Sequence, residues 1–205
     1  MTDVTIVNYG LGNISAFLHI YRHLGVSCGV AESPASLVSA RRIILPGVGA
    51  FDWAMEKLYR SRMRSVLDDL VLNKGVPVLG VCVGMQMMGA RSEEGSSDGL
   101  GWLDAEVLRF RPVTDAKHFA LPHMGWNDVY PVNSSILFQG IIEPVFYFLH
   151  SFYFAPRNRE CVAAMTHYGL DFCSVASQGN VYGVQFHPEK SHGWGVQLLN
   201  NFSRA

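Results

Sequence analysis

The 205-residue sequence contains few cysteines, few charged residues and no long apolar run. Its four cysteines show neither Cys-x-x-Cys nor zinc-finger spacing, so the sequence predicts no structural disulfide and no metal site. No apolar segment approaches the roughly 20 residues of a membrane span. The N-terminus lacks the basic and apolar regions of a signal peptide. We therefore expect a reduced, cytoplasmic protein that does not associate with membranes.

The charge is also nearly balanced, with a formal net charge of −1. A net charge so close to zero gives no indication that the protein binds nucleic acid. Apolar residues make up 49% and charged residues 16%, which suits a globular α/β protein with a buried sheet. At this length we expect one domain, residues 1–205, and we expect no cofactor.

Strand and helix patterns alternate in the first half of the chain. The predicted strands there are Val4–Asn8, Val26–Val30, Arg41–Pro46 and Val76–Val81. The predicted helices are Ile14–Leu24, Glu32–Ser39 (capped by Ser33), Ala50–Leu58, Ser61–Asn73 and Met85–Ala90. Such alternation is typical of a three-layer α/β fold with a mostly parallel, doubly wound sheet. The polar segment Arg91–Gly101 that follows is expected to be a solvated loop.

The sequence pattern changes from Trp102 onward, where short strand-like runs replace the alternation of strands and helices. These runs are Leu103–Phe110, Val129–Pro131, Val145–His150, Cys161–His167, Phe172–Gln178 and Asn180–Phe186. They predict an added mixed or antiparallel β segment that closes over the α/β half. A final helix is expected to begin near His192 or Trp194 and to include Leu198–Phe202.

One cysteine lies where a buried strand meets a helix. The apolar run Val76–Val81 leads into Gly80-Val81-Cys82-Val83-Gly84, which has the spacing of the Gly-x-Ser-x-Gly nucleophile elbow. A thiol there would sit at a helix N-terminus, where unpaired N–H groups favour a thiolate and an oxyanion. The alternative is that Cys82 is a small buried apolar side chain, which is the usual role of a free cysteine.

A second motif weakens that alternative. His187 and Glu189 flank Pro188, two positions apart. In extended backbone such residues point to the same side, so the carboxylate can orient the imidazole. A thiol, an imidazole and a carboxylate are the nucleophile, base and orienting group of a catalytic triad.

These two motifs resemble the class I (triad) glutamine amidotransferases. More narrowly, the chain is similar to the glutaminase subunits of imidazole glycerol phosphate synthases of histidine biosynthesis. The narrower likeness depends on Asn8–Asn13, Leu45–Phe51, Pro122–Asn127 and Tyr147–Tyr153, which span most of the chain.

The resemblance implies a role for each matched residue. The triad would be Cys82, His187 and Glu189, and the backbone amides of Val48 and Val83 would form the oxyanion hole. The residues implied to bind glutamine are Gly49, Gln86, His150, Ser151 and Phe152. In the segment Gly47-Val48-Gly49, a peptide between glycines can flip at low cost, which would make the oxyanion hole switchable.

The resemblance also implies a partner, a (β/α)8-barrel cyclase subunit that forms a heterodimer with this chain and receives the ammonia. Asn13, Trp126 and Lys190 would lie at that interface. For Trp126, burial in the core is an alternative. The glycine-rich turn before Asn13 is a weak candidate for a dinucleotide site, because it lacks the third glycine of that motif.

The sequence leaves the acceptor of the ammonia open. After the triad it reads Ser191-His192-Gly193-Trp194-Gly195, which looks more like paralogues from surface-polysaccharide gene clusters. Those paralogues supply ammonia for sugar amidination in lipopolysaccharide or O-antigen biosynthesis. A non-catalytic docking subunit and a cysteine protease or γ-glutamyl hydrolase are further alternatives. The intact triad argues against the first, and Gln86 with the Pro-Gly-Val-Gly segment argues against the second.

Overall fold

The computed structural model describes residues 2–111 and 120–205. Over these ranges the strands are β1 (Val4–Val7), β2 (Cys28–Ala31), β3 (Ile43–Gly47), β4 (Val78–Cys82), β5 (Arg91–Ser92), β6 (Ala105–Arg109), β7 (His123–Asp128), β8 (Tyr130–Pro131), β9 (Val145–His150), β10 (Phe152–Pro156), β11 (Val162–His167), β12 (Asp171–Gln178) and β13 (Val181–Val184). The α-helices are α1 (Ile14–His23), α2 (Pro34–Leu37), α3 (Phe51–Ser61), α4 (Arg64–Asp68), α5 (Val83–Met87) and α6 (His192–Phe202).

The strands form one large mixed sheet and one small ribbon. In the large sheet the order is β2-β1-β3-β4-β13-β12-β10-β6-β5, and β11 and β8 extend it from β12. Pairing is parallel from β2 to β13 and antiparallel between β13, β12, β10 and β6. The predicted parallel sheet with an added antiparallel segment is therefore confirmed, and the fold has three layers.

Helices cover both faces of the parallel part. Helices α1 and α6 contact each other in one layer, and α2 and α3 both contact α4 in the other. Because both faces are covered, β1, β3 and β4 are buried along their whole length. This is why these strands have nearly continuous apolar sequences. The core follows the same strands, and Ile6, Ile44 and Leu79 in it are completely buried.

Two helices, α1 and α2, begin at residues whose side chains cap the helix N-terminus. Ser33 caps α2 as predicted: its hydroxyl accepts from the backbone N–H of Ser36, and Pro34 occupies the first helical position. Asn13 caps α1, and its side-chain oxygen accepts from the N–H of Ala16.

The predicted continuous helix Ser61–Asn73 is wrong. Helix α3 runs on to Ser61, Arg62 then takes a left-handed conformation with φ 60°, and α4 begins at Arg64. A π-helical turn, Asp69–Asn73, ends the segment. The apolar residues Met63, Leu67, Leu70 and Val71 are buried, as their helical spacing favours, but that spacing contains no signal for the break in the backbone.

The segment Arg91–Gly101 is more than a solvated loop. It begins with β5, and its backbone is bound to α3 by Asp52, whose carboxylate accepts from the N–H groups of Ser96 and Ser97. These hydrogen bonds lower the pKa of Asp52. In return, the Glu94 carboxylate accepts from the N–H of Phe51 at the start of α3, at 2.8 Å. The loop and the start of α3 therefore hold each other in place.

Three strands were not predicted: β5, β7 and β10. Strand β7 pairs with β9 in a two-stranded antiparallel ribbon outside the main sheet, with Met124 opposite Leu149 and Trp126 opposite Tyr147. Strand β10 lies between β12 and β6. Across the described parts of the chain, no helix combines the length and apolar character that crossing a membrane requires.

Candidate active site

The thiol of Cys82 lies at the carboxyl end of β4, where the chain turns directly into α5. Its backbone has φ 55° and ψ −113°, in the region that residues with a Cβ rarely adopt. Cys82 is the cap of α5 and pairs with Gly47, the last residue of β3. The predicted elbow is therefore confirmed as a local structure, although α5 begins at Val83 rather than Met85. The two glycine-containing motifs meet at one edge of the sheet.

Glycines are required around the elbow because backbone contacts backbone there. A Cβ on Gly84 would lie 1.9 Å from the carbonyl oxygen of Leu45, and one on Gly47 would lie 2.3 Å from the nitrogen of Gly84. A Cβ on Gly80 would lie 2.7 Å from the Gly84 oxygen. These distances are far below van der Waals contact. The first turn of α5 can therefore lie directly against the Gly47–Val48 segment.

His187 and Glu189 form a buried pair beside the thiol. The distance from His187 Nδ1 to Glu189 Oε1 is 2.9 Å, and both side chains are 3% exposed. Burial by itself lowers the pKa of His187, but its hydrogen bonds to Cys82 and Glu189 outweigh burial and raise the pKa to about 10. The arrangement favours an imidazolium opposite the sulfur.

The pair forms by a different route from the one predicted. Only His187 is extended, since Pro188–Lys190 is a 3-10 turn. The turn brings the carboxylate back toward the ring. Glu189 Oε2 is buried and has no hydrogen-bond partner among the described residues.

A cavity of about 380 Å³ opens onto the sulfur. It is lined by Val48, Gly49, Cys82, Val83, Gln86, Glu94, Pro122, Leu149, His150, Ser151, Phe152, His187 and Lys190. The structure thus brings together every residue expected in the oxyanion hole and at the glutamine site. Its size is within the usual range for small-molecule sites, about 300–1,000 Å³. Asn13 and Trp126 lie outside this lining, and Glu189 lies behind His187.

The lining also contains a carboxylate that the sequence motifs do not indicate. Glu94 stands in a run of charged and small residues, a pattern that is typical of solvated loops. No local pattern distinguishes it, and only the fold of the loop against α3 brings it to the cavity.

The side-chain amide of Gln86 connects two walls of the cavity. Its Nε2 donates to the carbonyl oxygen of Phe152 at 3.1 Å and to Oε1 of Gln185 at 3.0 Å. Gln185 is completely buried, and its Nε2 lies 3.7 Å from the Cys82 sulfur. The sequence motifs indicate Gln86 but not Gln185, which stands two residues before His187.

Two further histidines form a buried chain behind the same carbonyl. His150 Nδ1 lies 2.7 Å from the Phe152 oxygen, and His123 Nδ1 lies 3.0 Å from His150 Nε2. Asn127 Nδ2 lies 3.1 Å from His123 Nε2. Since the Asn127 amide nitrogen can only donate and the carbonyl can only accept, each ring donates from Nδ1. Burial lowers the pKa of His123 to about 4 and that of His150 to about 3.

The β7–β9 ribbon has two different faces. Its inner face carries the histidine pair, and the Leu149 carbonyl oxygen lies 3.9 Å from the Cys82 sulfur. Its outer face exposes Met124 and Trp126. Trp126 stacks on His192, with ring centroids 5.0 Å apart, and is 45% exposed, so the alternative of a core tryptophan is wrong.

The other two residues expected at an interface have different settings. Lys190 lines the cavity and lies over the Tyr147 ring, 5.8 Å from its centroid, so it is next to both the cavity and the outer face of the ribbon. Asn13 is exposed at the start of α1. In the part of the chain that the structure describes, no three His, Cys, Asp or Glu side chains cluster as metal ligands.

The fold and the arrangement of Cys82, His187 and Glu189 are typical of a thiol-dependent hydrolase on a doubly wound sheet. Comparisons with known proteins identify the family. Residues 5–205 match the model of glutamine amidotransferase class-I. A crystal structure of a glutamine amidotransferase shares the fold, with a TM-score of 0.75 over 98% of this chain and 99% of the other at 16% identity.

Curated relatives give a narrower placement. The chain is 52% identical to imidazole glycerol phosphate synthase subunit HisH of Bdellovibrio bacteriovorus, over 98% of each chain. It is 42% identical to subunit HisH 2 of Pseudomonas aeruginosa, over 97% of this chain and 98% of that one. The chain belongs to the class I glutamine amidotransferases and, within them, to the family of HisH subunits.

Proposed function

We propose that residues 1–205 act as one amidotransferase domain in which Cys82, His187 and Glu189 hydrolyse L-glutamine to glutamate and ammonia. As a HisH family member, the chain is the glutaminase subunit of imidazole glycerol phosphate synthase, an enzyme of histidine biosynthesis. The observation that carries the catalytic assignment is the elbow thiol facing a cavity beside a buried His187–Glu189 pair.

In the first half of the reaction, the Cys82 thiolate attacks the side-chain amide carbon of glutamine. His187, held as an imidazolium by Glu189, donates a proton to the departing nitrogen, which leaves as ammonia. A γ-glutamyl thioester remains on Cys82. In the second half His187 accepts a proton from water, the hydroxide attacks the thioester, and glutamate leaves as the thiol forms again.

The negative oxygen that develops in each half needs preorganised donors. We assign this role to the backbone amides of Val48 and Val83, on either side of the contact between Gly47 and α5. Gly49, which follows Val48, has φ 85°, a backbone conformation that glycine adopts without strain. A donor of this kind contributes roughly 3–4 kcal/mol to catalysis.

The polar groups of the cavity fit a zwitterionic substrate. Glu94 and Lys190 offer opposite charges for the α-ammonium and α-carboxylate groups. Gln86 and the backbone of His150, Ser151 and Phe152 supply neutral hydrogen-bonding groups. Because buried charges are costly without partners, this set favours an amino acid over an uncharged amide.

We further propose that the ammonia passes to a (β/α)8-barrel cyclase subunit in a heterodimer. The exposed apolar outer face of the β7–β9 ribbon, with Trp126 and neighbouring Lys190, supports docking beside the cavity. Asn13, exposed at the start of α1, would also contact the partner. We place the enzyme in the cytoplasm, which suits its four unpaired cysteines.

Sugar amidination is the alternative use of the ammonia. The argument for this alternative is the sequence Ser191–Gly195. Within it, the Ser191 hydroxyl accepts a hydrogen bond from the backbone N–H of Tyr147 in the ribbon, and the His192 ring stacks on Trp126. A difference here would alter the docking face and not the triad. The HisH relatives favour the histidine pathway.

Glutamate release from glutamine tests the proposal. We expect a low rate for the chain alone, strong stimulation by the cyclase subunit with its ribonucleotide ligand, and loss of activity in Cys82→Ala. A Cys82→Ala variant that retains glutaminase activity would refute the catalytic assignment. Stimulation by a barrel paralogue from a polysaccharide cluster, and not by the histidine-pathway subunit, would show that the ammonia goes to a different acceptor. The assignment of the catalytic residues would be unaffected.

A further inference from the structure

We infer that Gln185 is a further catalytic residue, whose side-chain amide donates a hydrogen bond to the Cys82 sulfur and stabilises the thiolate. The inference depends on the proposed function in one respect, that Cys82 is the nucleophile. Gln185 Nε2 lies 3.7 Å from Cys82 Sγ, within hydrogen-bond range for sulfur, and the Gln185 side chain is completely buried.

The sheet places the two residues side by side. Strand β13 ends at Val184, which pairs in parallel with Val81 of β4. Gln185 and Cys82 are therefore the next residues of neighbouring strands. The backbone N–H of Gln185 donates to the Ser174 oxygen at 2.9 Å, so the peptide is also fixed from the other side.

The hydrogen-bond chain determines which end of the Gln185 amide faces the sulfur. The Phe152 carbonyl can only accept, so the Gln86 atom next to it must be nitrogen. That nitrogen's second hydrogen points to Gln185, where the atom 3.0 Å away must be oxygen. The remaining Gln185 atom, the one beside the sulfur, is therefore the NH2 group. Gln86 thus acts as a positioning residue for Gln185.

A donor at this place favours one protonation state of the sulfur. The Leu149 carbonyl, 3.9 Å away, can accept from the thiol but offers nothing to the thiolate. The Gln185 amide is a better partner for the negative sulfur than for the neutral one. The other titratable groups around this site are His187, with Glu189 behind it, His150 and Tyr9, together with Glu94 and Lys190 of the cavity lining.

Alkylation by iodoacetamide measures the thiolate directly, because only the thiolate reacts. The rate constant would be followed from about pH 5 to about pH 9, with Cys82→Ala subtracting labelling of the other cysteines. In Gln185→Met, which keeps the length and removes the donor, we expect about a tenfold slower reaction near neutral pH and a higher apparent pKa. The isosteric Gln185→Glu should be slower still, since it replaces the donor with an acceptor.

The matched control is Asn201→Leu. Asn201 is also a buried amide, and its Nδ2 donates to the Leu137 and Gln139 oxygens. None of these three residues lines the cavity. We expect this variant to lose stability with an unchanged alkylation profile.

Steady-state kinetics of glutamine hydrolysis provide a second measurement. In Gln185→Met the glutaminase kcat should fall by about tenfold while KM changes by less than about threefold.

Two results would overturn different conclusions. An alkylation profile of Gln185→Met and Gln185→Glu that matches the wild type would overturn the role of Gln185 alone. A glutamine-derived electrophile that forms its adduct at a residue other than Cys82 would overturn the proposed function itself.

Discussion

The hydroxyl of Tyr9 donates a hydrogen bond of 2.6 Å to the carbonyl oxygen of Pro46. This joins the turn after β1 to the segment that leads into Val48. The Tyr9 side chain also contacts Met87 Sδ at 3.5 Å. Burial raises the pKa of Tyr9, so its hydroxyl stays protonated and remains a donor.

Tyr9→Phe should therefore lower the free energy of unfolding by about 1–2 kcal/mol, because a buried carbonyl loses its partner. Urea unfolding measures this. Tyr59→Phe is the control, since Tyr59 is 77% exposed and its change should stay within about 0.5 kcal/mol. Equal stability of the two variants would contradict the structural role of the Tyr9 hydroxyl.

Gly84→Ala should prevent stable folding or lower the free energy of unfolding by more than about 4 kcal/mol. The reason is that the new Cβ would lie 1.9 Å from the backbone oxygen of Leu45. Because the clash is with backbone and not with a flexible side chain, a rotamer change cannot relieve it. Gly193→Ala makes the same chemical change in α6, where no atom lies within 4 Å. Soluble yield and melting temperature should separate the two, and a normal melting temperature for Gly84→Ala would show that the elbow is looser than described.

Trp126→Ala should weaken binding of the cyclase subunit by at least about tenfold, as expected for an aromatic residue at the centre of an interface. Trp53→Ala removes a tryptophan of almost equal exposure, 46% against 45%, from a different surface on α3. Calorimetric titration with the partner compares them. The same loss of affinity in both variants would argue against docking on the β7–β9 ribbon.

The histidine pair should make the fold sensitive to acid. The folded-state pKa values of His123 and His150, about 4 and about 3, lie below the ordinary value of 6.5. At these two sites the unfolded chain therefore binds more protons below about pH 6.5, and their contribution to stability falls as the pH decreases. Near pH 5.5 each histidine should contribute a loss of about 1 kcal/mol.

His123→Phe isolates this effect. The ring should still stack between Phe148 and Tyr168, whose centroids lie 4.7 and 4.0 Å from that of His123. The variant should be less stable than the wild type at every pH, because His150 loses its hydrogen-bond donor. Between about pH 8 and pH 5.5, however, the free energy of unfolding should decrease less in the variant than in the wild type. An identical pH dependence of urea unfolding would show that His123 is not buried in its neutral form.

Local patterns in the sequence predicted the parts of the site that are built from consecutive residues. The apolar run before Cys82 and its flanking glycines identified the elbow. Where function depends on residues that the fold brings together, the sequence carried little signal. Gln185 and Glu94 reach the site only through strand pairing and through a loop anchored on α3.

Strand β7 shows why strand prediction failed for one half of the ribbon, while β9 was predicted with its observed bounds. The expected alternation places apolar residues on the buried face, but β7 buries His123 and exposes Met124 and Trp126. A strand that hydrogen-bonds a histidine inward and presents apolar groups outward reverses the usual pattern. Pairing with β9 and the stacking of His123 on Phe148 and Tyr168 hold the strand in this arrangement.

The positive φ of Cys82 has an evolutionary consequence. Glycine would occupy φ 55° without steric cost, so Cys82→Gly should be as stable as Cys82→Ala or more so, although it buries less apolar surface. The residue that we propose as the nucleophile is thus one that the fold alone would not select. Random mutagenesis screened for heat resistance, with no requirement for glutamine hydrolysis, should tend to discard this cysteine, and the thiol persists only under selection for turnover.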